Sequence, residues 1–243
     1  MMDNKCILYL VKIGKKEYLD KTISKGEFYM NTCEYFREKA IDEGGNMVGD
    51  LQECSLPQGT VIITNEAVMT SFDKNDPESA SLCYGANYCI YCTYAVLSEA
   101  IPSSAIIPAN VFAGIISNED PNQYGVLLFK NPATIIEKIA AALSARGLPE
   151  RCDLVSYDDH VFCSPYRIRS KEYILDLCFH KRKDFEGQNE YRIATINTEK
   201  AAIDDLCIGK LKEGDYEEIS IQPGKSLHIE TGDTPSKITF SWE

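Results

Sequence analysis

The segment ANYCIYCTYAVL, residues 86–97, is rich in aromatic and β-branched side chains and contains neither glycine nor proline. This composition predicts a strand. The segment also holds a Cys89-x-x-Cys92 pair, which matches half of a zinc site, with His160-x-x-Cys163 as a candidate second half. Residues three apart on a strand point to opposite faces, so the strand prediction argues against zinc, and we predict no metal site.

Strand-like and helix-like segments lie on both sides of this segment. The other predicted strands are 5–13, 27–31, 60–72, 110–116, 124–129, 153–163, 190–196 and 237–243, and Pro223-Gly224 is the predicted turn of a hairpin over 218–230. The predicted helices are 15–24, 32–40, 131–147, 170–182 and 201–207. We therefore predict a single α+β domain over residues 1–243, with a mixed, largely antiparallel sheet and several flanking helices.

Local signals place several helix ends. Asn31 is predicted to cap the second helix, because Asn-x-x-Glu is a capping-box spacing. Asn131 and Pro132 are predicted to begin the longest helix, and Gly147 to end it. Gly26 is the predicted stop of the first helix.

The composition is that of an ordinary globular protein, with 243 residues, 44% hydrophobic and 26% charged. A chain of this length buries enough surface to fold without a metal or disulfide. Its longest apolar runs, about ten residues, are too short to cross a bilayer, and its first residues lack the features of a signal peptide. We therefore expect a soluble cytoplasmic protein without a membrane partner, whose ten cysteines are mostly thiols packed as small hydrophobic residues.

The net charge of −12 argues against non-specific binding to nucleic acid. Two stretches are nevertheless locally positive: residues 1–39 hold eight Lys and Arg against six Asp and Glu, and residues 165–192 hold seven against five. Residues 40–164 hold five against sixteen. If the fold brings the two positive stretches together, they form a basic pocket within an acidic protein, which suits a small anionic ligand.

Residues 180–196, HKRKDFEGQNEYRIATI, contain the strongest candidate site. Lys181 and Lys183 are predicted to lie at or just past the end of a helix, where cations favour the negative end of the helix dipole. Gly187 is the predicted bend between that helix and the next strand.

The strand that follows places Gln188, Glu190 and Arg192 on one face, because they occupy alternate positions, and turns Tyr191 and Ile193 toward a core. One interpretation is a solvated strand face with an ordinary charge pair. The other is a polar stripe in a pocket, in which the glutamine and glutamate bind hydroxyl or amide groups and the arginine binds a carboxylate or phosphate.

Familiar catalytic signatures are absent from the sequence. It contains no glycine-rich phosphate loop of either common spacing and no G-x-S-x-G elbow. Asp158 and His160 share a strand face with Cys163 nearby, which is compatible with a nucleophile pair but also with a solvated strand end.

Short motifs occur along the chain in a definite order: KGEFYMNTCEYFR (25–37), GDLQE (49–53), Ser71-Phe72, GVLLFK (125–130), VSYDD (155–159), and Lys181 or Lys183 followed by Gln188, Glu190 and Arg192. This order resembles a widespread bacterial family of uncharacterised cytoplasmic proteins, some of which are encoded near defence or abortive-infection genes. The family's late motif is K…E-x-E-x-R, and Gln188 stands here where an acid is usual. The resemblance implies a ligand-binding role in phage defence or stress response, and names no reaction.

The Gln-x-Glu sequence that opens the predicted strand is similar to the catalytic signature of ADP-ribosyltransferases. That resemblance implies NAD as a cofactor, Glu190 as the catalytic glutamate and Gln188 as the residue that orients the acceptor. The family's middle-strand Ser/Thr position would fall on Thr70-Ser71, and its early-strand Arg or His position would fall on Lys12.

The sequence therefore leaves three hypotheses and does not decide whether the protein is an enzyme. In the first ranked, Gln188, Glu190 and Arg192 bind a small anionic or nucleotide-like ligand or a protein partner. The second is an NAD-dependent transferase that uses Glu190, and the third places function in the loop 42–60. The predicted ligand-binding residues are Arg192, Lys181, Lys183, Arg37 and Ser71, and the predicted catalytic residues are Glu190 and Gln188.

Overall fold

A computed structural model describes residues 6–42, 62–63, 68–69, 87–98, 104–116, 119–157, 175–197, 201–234 and 237–243. The helices are α1 (Lys16–Lys25), α2 (Cys33–Asp42), α3 (Ala109–Ile116) and α4 (Pro132–Ala145). The strands are β1 (Cys6–Lys15), β2 (Glu27–Thr32), β3 (Ile62–Ile63), β4 (Val68–Met69), β5 (Asn87–Ser98), β6 (Ser104–Ile107), β7 (Tyr124–Phe129), β8 (Glu150–Leu154), β9 (Ser156–Tyr157), β10 (His180–Lys181), β11 (Glu190–Asn197), β12 (Ile203–Cys207), β13 (Tyr216–Ser220), β14 (Leu227–Thr231) and β15 (Ile238–Trp242). Three 3₁₀ segments lie at Pro121–Gln123, Asp176–Phe179 and Lys183–Gln188.

The main sheet has eight strands arranged around β5, and all of its recorded pairs are antiparallel. β11 pairs with one edge of β5 from Asn87 to Tyr94, and β8 pairs with the other edge of β11. β7 and β13 extend the sheet beyond β1, and β12 extends it beyond β2. A three-stranded sheet of β15, β14 and β6 and two short two-stranded pairs complete the described strands.

The second edge of β5 is forked, because two strands share it. β1 pairs with β5 from Ser98 to Tyr94, and β2 takes its place at Ile90 and Cys89. Both strands run antiparallel to β5, and α1 connects them. They diverge opposite residues 91–93, which leaves a wedge between the end of β1 and the start of β2.

Apolar residues cover both faces of the main sheet. On one face, α4 packs through Ile135, Ile139 and Leu143, which are spaced four apart as an amphipathic helix requires. On the other face, α3 and the three-stranded sheet cover β1 and β7, and the 3₁₀ segment Asp176–Phe179 covers the start of β5 and the middle of β11. The polar stripe of β11 lies on this second face.

The α+β class and the largely antiparallel sheet are confirmed. The strands at 86–97, 124–129 and 190–196 and the first helix, ended by Gly26 in a left-handed conformation, also agree with the sequence. The long helix is capped by Asn131, whose side chain accepts a hydrogen bond from the Thr134 N–H.

Several local predictions were wrong. Residues 110–116 belong to helix α3 rather than a strand, because a short apolar run fits either structure when both of its faces are covered. Residues 201–207 contain strand β12, which pairs with β2, instead of a helix. β13 and β14 do not form a hairpin, since β13 pairs with β7 and β14 with β6 and β15.

Helix α2 is capped one residue later than predicted, by Thr32, whose hydroxyl accepts a hydrogen bond from the Tyr35 N–H. The described cysteines that form no disulfide are Cys6, Cys89, Cys92, Cys152, Cys178 and Cys207. Cys33 is disulfide-bonded, which differs from the expectation for that residue. None of the described helices, of which α4 with 14 residues is the longest, has the length and apolar character needed to cross a membrane.

Candidate functional site

The side chains of Glu190 and Arg192 project from the same face of β11, as their spacing predicts. Their cross-strand neighbours on β5 are Tyr94 and Cys92. Tyr191, between them, belongs to the apolar cluster on the opposite face. The alternation predicted for this strand is therefore present.

Glu190 is the centre of a charged cluster. Its Oε1 atom lies 2.6 Å from the Nζ atom of Lys181, and its Oε2 atom lies 2.6 Å from the Nε atom of Arg192. Its backbone N–H donates a hydrogen bond of 2.9 Å to the Tyr157 hydroxyl. Each carboxylate oxygen thus has a cationic partner, and the main chain is fixed as well.

The two cations of this cluster are buried. The Lys181 and Arg192 side chains are each only 1% exposed, and that of Glu190 is 12% exposed. Lys181 also donates to the Gln188 Oε1 atom at 2.7 Å, and Arg192 Nη1 donates to the Cys178 carbonyl at 2.6 Å. Buried charges persist only when they are paired and hydrogen-bonded, and this network meets that requirement.

The network controls the protonation of Glu190. Burial by itself raises the pKa of this carboxyl, but the charges and hydrogen bonds of Arg192 and Lys181 outweigh burial and lower the pKa to about 2. Glu190 is therefore a carboxylate at neutral pH. A carboxylate held between two cations is a poor proton donor, so the site is suited to electrostatic recognition rather than to general acid chemistry.

Asn189 supplies the bend that precedes β11. It has a left-handed conformation with φ 41°, and the predicted bend at Gly187 is wrong because that glycine lies within the 3₁₀ segment. The Asn189 carbonyl accepts a hydrogen bond of 2.8 Å from the Ala95 N–H, and its side-chain amide donates to the Ala95 carbonyl. Gln188 therefore precedes the strand rather than belonging to it, yet its side chain still reaches Lys181.

Lys12 reaches the same region from the forked edge of β5. Its ammonium donates a hydrogen bond of 2.8 Å to the Cys92 carbonyl and lies 4.4 Å from the centre of the Tyr91 ring. Burial lowers the pKa of Lys12, although the charges of Cys92 and Glu190 act in the opposite direction. No carboxylate among the described residues forms an ion pair with it.

A cavity of about 140 Å³ joins these groups. Lys12 belongs to the positive stretch 1–39, and Lys181 and Arg192 belong to the positive stretch 165–192, so the fold brings the two stretches together. The lining contains three cationic side chains and one carboxylate among the described residues, within a largely apolar wall. The lining residues are Val11, Lys12, Ile13, Phe36, Ile90, Cys92, Thr93, Tyr94, Val111, Ile115, Lys181, Gln188, Glu190 and Arg192.

Three of the predicted ligand-binding residues are not shown to be part of this cavity. Lys183 is exposed on the 3₁₀ segment and does not line it. Arg37 lies on α2, where the structure describes its backbone only, and its neighbour Phe36 lines the cavity. Ser71, like Thr70, lies outside the described residues.

Sequence reasoning missed the apolar wall of the cavity. Phe36 comes from α2, and Val111 and Ile115 come from α3, a segment predicted as a strand. Their spacing of four residues places the two α3 side chains on one helical face. A helix prediction for residues 109–116 is the signal that could have identified that face.

The Cys-x-x-Cys pair is divided by the strand, as its spacing requires. Cys89 belongs to the apolar cluster on the face of Tyr91, while Cys92 packs on the opposite face. Within the part of the chain that the structure describes, no group of three or more His, Cys, Asp or Glu side chains is placed to hold a metal ion. His160 and Cys163 lie outside that part.

No family model, curated protein or solved structure compared with this chain matches it.

Proposed function

We propose that the protein binds a small organic anion in the cavity between Lys12 and the Lys181–Glu190–Arg192 cluster. The observation that supports this proposal is that three cationic side chains and one carboxylate line a single cavity. Lys12 is the primary anchor, because its ammonium has a carbonyl and an aromatic ring, rather than a carboxylate, as partners among the described residues. Fixed positive charge in an apolar setting attracts an anion more strongly than the same charge in water.

The size of the cavity limits the ligand. Pockets for drug-sized molecules and cofactors usually enclose about 300–1,000 Å³, whereas this cavity encloses about 140 Å³. A dinucleotide exceeds that space, while a short carboxylate fits within it. The wall formed by Phe36, Val111 and Ile115 favours an anion that carries an apolar group.

The cluster of Lys181, Glu190 and Arg192 serves as a rigid wall in this proposal. Glu190 holds both cations at fixed distances of 2.6 Å, so they are oriented before a ligand arrives. Preorganised donors bind more tightly because less side-chain freedom is lost on binding. Glu190 also disfavours a second carboxylate placed directly against it, which directs the anion toward Lys12.

A thermal-shift experiment tests the proposal. We expect butyrate to raise the melting temperature of the wild type, because a ligand that binds the folded state stabilises it by mass action. Butanol, which has a similar shape without the charge, should give no shift. Lys12→Met should lose the butyrate shift, and the exposed Lys225→Met, which removes the same charge elsewhere, should keep it.

Two outcomes would contradict the proposal. One is that neither butyrate nor inorganic phosphate raises the melting temperature of the wild type. The other is that Lys12→Met and the wild type respond equally. Circular dichroism of the variant shows whether it is folded, and isothermal titration of the folded protein gives the same comparison without heating.

The alternative of an NAD-dependent transferase stays a prediction, tested by adding NAD and ADP-ribose to the same screen. Gln188 and Glu190 lie in one cavity, as that function requires. Lys181 and Arg192 occupy both carboxylate oxygens of Glu190, whereas the transferase mechanism needs that carboxylate to bind a ribose hydroxyl. This pairing argues against the transferase. A shift with NAD that is lost in a Glu190→Gln variant shown to be folded by circular dichroism would favour the transferase over the small-anion proposal.

A further inference from the structure

The wedge between β1 and β2 contains a second and larger cavity, of about 420 Å³. Tyr91, Phe28 and Leu19, which line it, belong to the apolar cluster on the face opposite Glu190 and Arg192. Its volume falls within the usual range for small-molecule sites. The charged residues of its lining are Lys12, Lys15, Lys21, Glu27 and Asp204.

Tyr91, one of the residues that line this wedge cavity, has an unused hydrogen-bonding group. Tyr91 is only 5% exposed, and its hydroxyl oxygen is buried without a hydrogen-bond partner among the described residues. Burial raises the pKa of Tyr91, so the hydroxyl stays protonated and available as a donor. Buried hydroxyl groups are nearly always hydrogen-bonded, so an unpaired one on a residue that lines a cavity is a candidate partner for a ligand.

The charges around the cavity favour an anion. Lys12 places its ammonium beside the Tyr91 ring, and Lys21 contributes a second ammonium from α1. The other charged groups are largely offset, because Lys15 is paired with Glu119 at 2.7 Å and Glu27 with Lys25 at 3.4 Å. Asp204 and Lys21 are both exposed, so solvent screens both charges, and the less exposed Lys12 provides the larger part of the attraction.

Aromatic rings form the mouth of the cavity. Tyr18 and Tyr29 are 46% and 42% exposed, and their rings stack with centroids 6.0 Å apart and an interplanar angle of 15°. Lys21 lies 5.6 Å from the centre of the Tyr18 ring. Exposed, preordered aromatic faces next to lysines bind planar rings by stacking.

We propose that the wedge cavity is a second binding site, for an aromatic anion of the size of a nucleoside monophosphate. The anionic group lies toward the Tyr91 hydroxyl and the ammonium groups of Lys12 and Lys21. The planar ring lies against Tyr18 or Tyr29 at the mouth. This site is separate from the one between Lys12 and the Glu190 cluster, and among the described residues the two linings have Lys12 and Ile13 in common.

Isothermal titration with adenosine monophosphate, adenosine and inorganic phosphate tests this site. We expect the monophosphate to bind the wild type at least tenfold more tightly than either fragment, because it alone offers both contacts. Tyr91→Phe should weaken monophosphate binding by about tenfold, as the loss of one hydrogen bond to a charged group predicts. Tyr91→Phe keeps the ring that packs against Phe28, so the fold is preserved.

Matched controls are available on the same elements. Lys21→Met should weaken monophosphate binding about fivefold or more, while Lys16→Met, which removes an exposed lysine of the same helix outside the cavity, should leave it unchanged. Tyr29→Ala should weaken both adenosine and the monophosphate. Tyr35→Ala, an equally exposed tyrosine that does not line the cavity, should weaken neither.

The site is overturned if the monophosphate does not bind at millimolar concentration, or if Tyr91→Phe and Lys21→Met bind it as tightly as the wild type does. Butyrate binding distinguishes the two proposals. Tyr91→Phe should leave the butyrate response unchanged, whereas Val111→Phe, which fills the smaller cavity, should abolish it and keep monophosphate binding. These experiments can therefore reject either proposed site without rejecting the other.

Discussion

The Nε atom of Arg192 lies 2.6 Å from the Oε2 atom of Glu190, so two residues on one face of a single strand neutralise each other inside the protein. Lys181 binds the other oxygen of the same carboxylate. Polar residues at alternate positions are typical of a solvated strand face. Here the paired Glu190 and Arg192 side chains instead line a cavity.

Glu190→Gln should strongly destabilise the protein, because it leaves Lys181 and Arg192 buried without their carboxylate. Removing one partner of a buried ion pair typically costs about 3–5 kcal/mol. Urea denaturation measures this change in the free energy of unfolding. Glu217→Gln is the control, because it breaks the more exposed ion pair with Lys130 and should cost about 1 kcal/mol or less. Equal losses in both variants would contradict the buried network.

Acid should remove the stabilisation that Glu190 provides. The network lowers the pKa of this carboxyl from its ordinary value of 4.5 to about 2 in the folded protein. Its contribution is therefore fully present above about pH 4.5 and is lost as pH falls toward 2. We expect the difference in unfolding free energy between wild type and Glu190→Gln to narrow over this interval. A difference that stays constant from pH 6 to pH 3 would show that the carboxyl is not held by the two cations.

Asn189 can be tested by separating its two roles. Asn189→Gly keeps access to the left-handed conformation but loses the side-chain hydrogen bond to the Ala95 carbonyl, and should cost about 1 kcal/mol. Asn189→Ala loses both the side-chain hydrogen bond and easy access to the left-handed conformation, and should cost about 1–2 kcal/mol more than Asn189→Gly. Denaturation midpoints of the two variants give this order. The reverse order would mean that the bend does not depend on the backbone conformation of this residue.

Gly26 and Gly147 form a second matched pair, with φ values of 73° and 71°. A Cβ atom at Gly26 would lie 2.0 Å from the Gly209 carbonyl oxygen, while one at Gly147 would meet nothing within 4 Å. Gly147→Ala should therefore cost about 1–2 kcal/mol from conformation alone. Gly26→Ala should cost about 1–3 kcal/mol more, because backbone must move. Similar thermal unfolding of the two variants would refute the close contact between α1 and the segment after β12.

Binding of a small anion should weaken at alkaline pH. Burial lowers the pKa of Lys12 below the ordinary lysine value of 10.5, so its ammonium loses the proton at a lower pH than an exposed lysine does. We expect butyrate affinity to fall as pH rises through that lowered pKa. Titration calorimetry from pH 6 to pH 10 measures the change. An affinity that is unchanged up to pH 10 would argue against Lys12 as the anchor.

The sequence predicted those elements whose local pattern agrees with their tertiary surroundings. Strands β5 and β11 and helix α4 have clear periodicity and are buried in the way that periodicity requires. Helix α3 and strand β12 were assigned wrongly, because tertiary packing rather than local preference decides between helix and strand in such short segments.

The candidate site, too, was predicted from the sequence only where a local pattern reveals it. Alternation along β11 predicted that Glu190 and Arg192 share a face, and local charge pointed to Lys181. Lys12 reaches the cavity because the edge of β5 is forked. Phe36 reaches it because α2 packs over the sheet face that carries Glu190 and Arg192. Contacts between segments far apart in sequence leave no local signal, so periodicity could not reveal the cavity or its apolar wall.

The Lys12 ammonium has one further consequence, because it lines cavities on both sides of the main sheet. Two anions bound on opposite sides would draw on the same positive charge. Each would therefore reduce the affinity of the protein for the other, and thermodynamic linkage requires the two reductions to be equal. If both proposed sites bind anions, this single side chain in the fork of β5 would make the two ligands reciprocal antagonists, with no change of shape required.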